Sequence, residues 1–237
     1  MRFDSNRPDI GLAVSRALLT FGLLFLGGTL FAHGLAGEDA AFLERNAGRA
    51  LAVFTYLGAK HMVTGYDHLL FLFGVIFFLY RMKYVAIYVS LFAIGHSTTM
   101  LAGVYFGWNV NPFLIDAIIG LSVVYKALDN LGAYRRWFGV QPNTKAATLI
   151  FGLFHGLGLA TKIIDYEIAE DGLLPNLLAF NVGVEIGQLI ALAMILIVMG
   201  FWRRAPGFWK HAYTANVVMM SAGFVLIGYQ LTGYFVV

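Results

Sequence analysis

The chain has 237 residues, 59% of them hydrophobic and only 12% charged, and its mean hydropathy is +0.75. A soluble domain of this size would carry about a quarter charged residues, so the composition excludes a soluble globular protein and points to a membrane protein. The formal charge of +3 is too small to argue for nucleic acid, and the absence of cysteine excludes disulfides, thiolate metal sites and thiol catalysis.

A helix needs about 20 largely apolar residues to cross the hydrocarbon of a bilayer. Seven stretches qualify, at about 12–33, 55–80, 84–106, 113–131, 146–164, 174–201 and 213–236. The fourth is diluted by Asp116, Lys126 and Asp129, the fifth by glycines. Connectors are short, and no soluble domain, low-complexity tract or internal repeat interrupts them. The expected fold is all-α, a polytopic membrane helical bundle of about seven transmembrane helices forming one domain over 1–237. Within it, 1–36 is a first helix or signal-peptide-like segment, 37–54 an extracytoplasmic connector, and 55–237 a six-helix core.

Basic residues orient the bundle. Arg2, Arg7 and Arg16 lie before or at the start of the first span, Arg81 and Lys83 follow the second, Arg135, Arg136 and Lys145 separate the fourth and fifth, and Arg203, Arg204 and Lys210 separate the sixth and seventh. The alternate connectors are neutral (107–112) or acidic, with Asp165, Glu167, Glu170 and Asp171. Every second connector is basic, which predicts a cytoplasmic N-terminus and an extracytoplasmic C-terminus in a bacterial-type inner membrane. The first span also has the form of a signal peptide, with basic residues before an apolar run that ends near Ala32, Gly34 and Ala36. Its length favours retention. The segment 38–54 is then a surface connector that could form a short amphipathic helix.

Four of the six histidines lie inside these apolar stretches with acidic and amide companions: His61, Asp67 and His68; His96; His155; and Asn181, Glu185 and Gln188. Ionisable groups at membrane depth are costly and mark function by default. With a rise of about 1.5 Å per residue, Asp67, His68 and His96 come ~20 Å above the cytoplasmic edge, His155 and Glu185 at ~15 Å, and Asn181 one turn higher. Polar residues each satisfied locally would not need such agreement. His61 and His68 are seven apart, two turns along one face, with Asp67 on a different side of the helix. Asn181, Glu185 and Gln188 follow an i, i+4, i+7 stripe. Gly152 and Gly156 beside His155, and Gly183 and Gly187 beside Glu185, form small-xxx-small pairs that let helices approach closely.

Neutral imidazoles with one or two carboxylates suit a borderline divalent cation, a donor set open to Ni, Co, Zn or Mn. The candidate metal residues are His61, Asp67, His68, His96, His155 and Glu185. Asp67 is either a ligand or a residue that orients another histidine through its second ring nitrogen. Asn181 and Gln188 offer amide oxygens or outer hydrogen bonds. Asp116 is placed on the access path or as a charge at a helix N-terminus, and Ser97 stands out from a packing run with Thr98 and Thr99. His33, at the interface, and His211, in a connector, receive no role.

The motifs HxxxGxDHLLF at 61–71, GHSTT at 95–99, LSVVYKALDN at 121–130, FGLFHGLGLA at 151–160 and FNVGVEIGQ at 180–188 together resemble the HupE/UreJ family of integral membrane proteins. The likeness covers roughly 58–200 in order and spacing. It implies nickel or cobalt handling at His61, Asp67, His68, His96, His155 and Glu185, as a permease or an accessory protein. One departure is Asp116, where similar proteins tend to carry glutamate, which keeps the charge and shortens its reach.

Three functions compete. The first is a permease for Ni²⁺ or a similar ion, with the acidic connector at 165–171 concentrating cations and protonation of histidine or Glu185 triggering release. The second is an intramembrane zinc-dependent hydrolase with Asp67 or Glu185 as general base. The third is an accessory or structural subunit that supports metallocentre assembly with a metalloenzyme-maturation partner. The permease is favoured. The expected partners are the lipid bilayer and the metal ion; oligomeric state is not readable from the sequence.

Overall fold

The computed structural model describes residues 49–164 and 172–236. Among these residues all regular structure is helical: α1 (Leu51–Thr64), α2 (Tyr66–Ile76), α3 (Met82–Tyr105), α4 (Pro112–Asn130), α5 (Ala133–Phe138), α6 (Thr144–Ile164), α7 (Leu173–Trp202) and α8 (Phe208–Val236). The expected first span at 12–33, most of the connector at 37–54, His33 and the acidic connector at 165–171 lie outside the described residues.

Local chemistry explains the boundaries. Pro112 opens α4 at a position where its missing N–H costs nothing, and the Asn111 side chain accepts from the Phe113 and Leu114 amides at 3.0 and 3.3 Å. Asn143 caps α6 through the Lys145 and Ala146 amides in the same way. Four helices, α3, α6, α7 and α8, are long and apolar enough to cross a membrane. Their outward residues, such as Val182, Ile186, Leu189, Ile197 and Val225, are exposed hydrophobics suited to a lipid bilayer. α4 is long enough but carries Asp116, Lys126 and Asp129, all buried against other helices.

The predicted second span differs. It begins at Leu51, inside the segment expected to be a connector, and it is two helices separated at Gly65. Gly65 leaves helical geometry with ψ 98°, and its amide bonds the His61 carbonyl at 2.8 Å. The second helix is short, and its end is held from across the bundle, where the Arg203 guanidinium donates to the Ile76 and Phe77 carbonyls. The Ile76 carbonyl also accepts from the Leu79 N–H at 2.8 Å, so the guanidinium adds to the capping of this helix C-terminus. His211, expected in a connector, lies near the start of α8.

The bundle is built from three intimate pairs, α3 with α6, α1 with α7, and α4 with α8, and α2 is wedged among them. Several close approaches between helices require glycine, and two illustrate them. A Cβ on Gly156 would lie 2.0 Å from the His96 carbonyl oxygen, and one on Gly183 would lie 1.9 Å from that of Thr55. The small-residue spacings therefore do what the sequence suggests, drawing α6 onto α3 and α7 onto α1.

Candidate metal centre

The four membrane histidines converge. His68, on the wedged α2, is the hub: its ring centroid is 5.2 Å from His61, 5.6 Å from His96 and 4.6 Å from His155. Ligand-type atoms of His61, His68 and His96 all lie within 4.8 Å of one another, and so do those of Asp67, His68 and His155. The break at Gly65 makes the first contact. In an unbroken helix seven residues separate two side chains by about 10 Å of rise, whereas the kink folds His61 and His68 toward each other.

For two of the four rings, hydrogen bonds define which nitrogen is presented. The Asp67 carboxylate accepts from the His68 backbone N–H at 2.8 Å and faces its Nδ1 at 2.9 Å. An ionised carboxylate only accepts, so His68 carries its proton on Nδ1 and presents the Nε2 lone pair. The sequence leaves Asp67 either as a ligand or as a residue that orients another histidine; the histidine it meets is its own neighbour, His68. It reaches its own neighbour because it lies in the first turn of α2, where its carboxylate also complements the helix dipole. Ser122 plays the same part for His155. Its hydroxyl donates to the Ile119 carbonyl at 2.6 Å, so its 3.2 Å contact with His155 Nε2 must be accepting. The His155 lone pair is therefore on Nδ1.

These two lone-pair nitrogens are among five buried imidazole atoms that have no hydrogen-bond partner: His61 Nε2, His68 Nε2, both nitrogens of His96, and His155 Nδ1. Leaving a polar group buried and unpaired costs about 1–3 kcal/mol. Phe92 and Phe71 stack around the cluster, with Phe92 5.0 Å and Phe71 5.5 Å from His155, and Phe180 closes the His61 side at 6.2 Å. An apolar wall around convergent nitrogen donors, two of them fixed in tautomer, fits a divalent metal ion, which would satisfy them together.

The remaining candidates fall around this cluster rather than in it. Ser97 donates to Asn181 at 2.8 Å, tying α3 to α7, and Gln188 donates to the Val89 carbonyl at 3.3 Å. Glu185 is on the exposed side of α7 and belongs to neither group of converging ligand atoms. Asp116 is buried, and its carboxylate pairs with Lys162 at 2.9 Å and accepts from Gln230 at 3.4 Å.

Sequence reasoning missed Ser122 and Lys162. Signals for both existed, since Ser122 stands alone in an apolar turn and Lys162 follows His155 by seven residues, on the same face of α6.

An all-helical membrane protein with a buried imidazole and carboxylate cluster is the class that fold and site define. Within that class, the HupE / UreJ protein family matches residues 37–237, and the chain belongs to it. Nothing matches the chain among curated proteins or among solved structures.

Proposed function

We propose that the protein is a permease for a divalent transition-metal ion of the nickel or cobalt type, and that the imidazole cluster is where the ion binds in transit. The observation that carries this reading is the set of five buried, unpartnered imidazole nitrogens on His61, His68, His96 and His155. Membership of the HupE/UreJ family and the two converging His/Asp groups support it. His61, His68, His96 and His155 supply nitrogen, and Asp67 supplies charge and orientation. Glu185 stays outside the binding set in this conformation.

In this proposal the ion is cargo, so it must be held loosely enough to leave. Two three-residue groups share His68, one of three imidazoles and one of two imidazoles with the Asp67 carboxylate, and they serve that need because the inward nitrogens of His68 and His155 have no other hydrogen-bond partner. The bundle spans an inner membrane seven times, with the N-terminus in the cytoplasm, as the alternation of basic connectors argues.

The test is reconstitution. Proteoliposomes of the purified protein are expected to accumulate radiolabelled Ni²⁺, and His68→Ala is expected to lose both uptake and stoichiometric binding. Stoichiometric binding by the native protein with no uptake would sink the permease reading and leave an accessory role.

A further inference from the structure

The interface of α4 and α6 carries polar residues at three levels. At one end Asp116 meets Lys162, with Nζ 2.9 Å from Oδ2 and 3.2 Å from Oδ1. In the middle Ser122 meets His155. At the other end Asp129 takes Lys126, Gln141 and Thr144. Going up α4 runs down α6, so the two helices are antiparallel and the three levels are rungs of one seam. Successive rungs on α4 are six and seven residues apart, about 10 Å each by helical rise, so the seam runs through most of a ~30 Å hydrocarbon core.

The outer rungs have the same composition, one carboxylate neutralised by one lysine. Asp116, Lys126 and Asp129 are buried, and Lys162 is partly so. Lys162 is also within electrostatic range of His61, Asp67 and His155. A buried ion pair gains little stability over an apolar pair of the same volume, because desolvation offsets its attraction. Two such pairs, aligned on either side of a histidine that offers a free lone pair, therefore call for an explanation other than stability.

We propose that this seam is the ion's route through the bundle, and that Asp116 and Asp129 are two further divalent-cation sites whose occupants between passages are the ammonium groups of Lys162 and Lys126. This inference rests on the permease reading. An arriving cation exchanges for the lysine ammonium at one carboxylate, moves to the His155 and His68 level, and leaves through the other carboxylate by the reverse exchange. Each lysine is a tethered counter-cation that closes its end of the route when no metal is there. Oxygen ligands at the ends and nitrogen ligands in the centre grade the affinity, weak outside and stronger inside, as entry and release require.

The test separates the seam from the central cluster by reading binding and uptake in the same preparations. Equilibrium dialysis with Ni²⁺ on detergent-purified Lys162→Gln and Lys126→Gln is expected to show one extra bound equivalent each, because a carboxylate is freed. The near-isosteric, uncharged pair Lys126→Gln/Asp129→Asn is expected to keep the central equivalent while uptake falls by about tenfold or more. Retention of that central equivalent also reports that the variant is folded. Wild-type uptake by the uncharged pair, or no extra equivalent in either lysine variant, would overturn the seam. Loss of the permease reading has a different signature, native binding without native uptake, and the extra equivalents then judge the two carboxylate sites by themselves.

Discussion

At the scale of single residues, the site depends on which ring nitrogen faces inward. Asp67 sets this for His68 and Ser122 sets it for His155. Removing an outer partner of this kind typically costs ten- to a hundred-fold in metal affinity. Asp67→Asn is therefore expected to weaken Ni²⁺ binding by about that factor without abolishing it, since the amide can still orient the ring. Ser122→Ala should fall at the lower end of the same range, as isothermal titration would report. Glu185→Gln is expected to leave affinity within about twofold, because this side chain is exposed on α7 and apart from the converging donors. A large loss in that variant would bring Glu185 into the binding set.

At the scale of elements, the organising feature is the short α2, which begins at a break and ends on a borrowed cap. Gly65 is tightly enclosed: a Cβ there would press on the His61 carbonyl, His68 Nδ1 and Asp67 Oδ1 at 3.0 to 3.2 Å. Gly65→Val should displace the very atoms that hold the His68 ring, and weaken metal binding more than it lowers the melting temperature. The α3–α6 contact behaves differently. A Cβ at Gly156 would overlap the His96 carbonyl, so Gly156→Val must push the two helices apart and carry His96 from His155. Overpacking of this kind costs about 1–3 kcal/mol, occasionally more, and a lowered melting temperature together with lost binding is the expected result. Arg203 ties the far end of α2 to the end of α7, and its cation lies 4.6 Å over the Tyr80 ring. Arg203 thus links the end of α7 to the helix that carries His68.

At the scale of the whole molecule, the proposed orientation can be measured directly. A reporter enzyme that is active only outside the cytoplasm, fused after Val237, is expected to be active, and the same reporter placed in the connector around Pro142 is expected to be silent. Reversed activities would overturn the topology inferred from Arg81, Lys83, Arg135, Arg136, Arg203 and Arg204. Much of the architecture was legible without coordinates. The predicted spans at 84–106, 113–131, 146–164, 174–201 and 213–236 lie within a few residues of α3, α4, α6, α7 and α8, because long apolar runs bounded by charges, Asn-Pro or Gly leave little freedom. The depth argument for the histidines was legible for the same reason, since helical rise is constant and basic connectors set its origin.

The sequence by itself determined an all-helical membrane bundle, its family, and the histidines that share one level, because composition and helical rise depend on local chemistry alone. Tertiary structure decided the rest. The break at Gly65 was not readable because Thr64, Gly65 and Asp67 within a long span are also compatible with a continuous helix, and neighbouring helices decide between the two. The partner of Asp67, the role of Ser122 and the pairing of Asp116 with Lys162 all depend on how helices are rotated against one another. That rotation is set by close backbone approaches such as those at Gly58, Gly156 and Gly183, and no periodicity along a single helix encodes which neighbour it will meet.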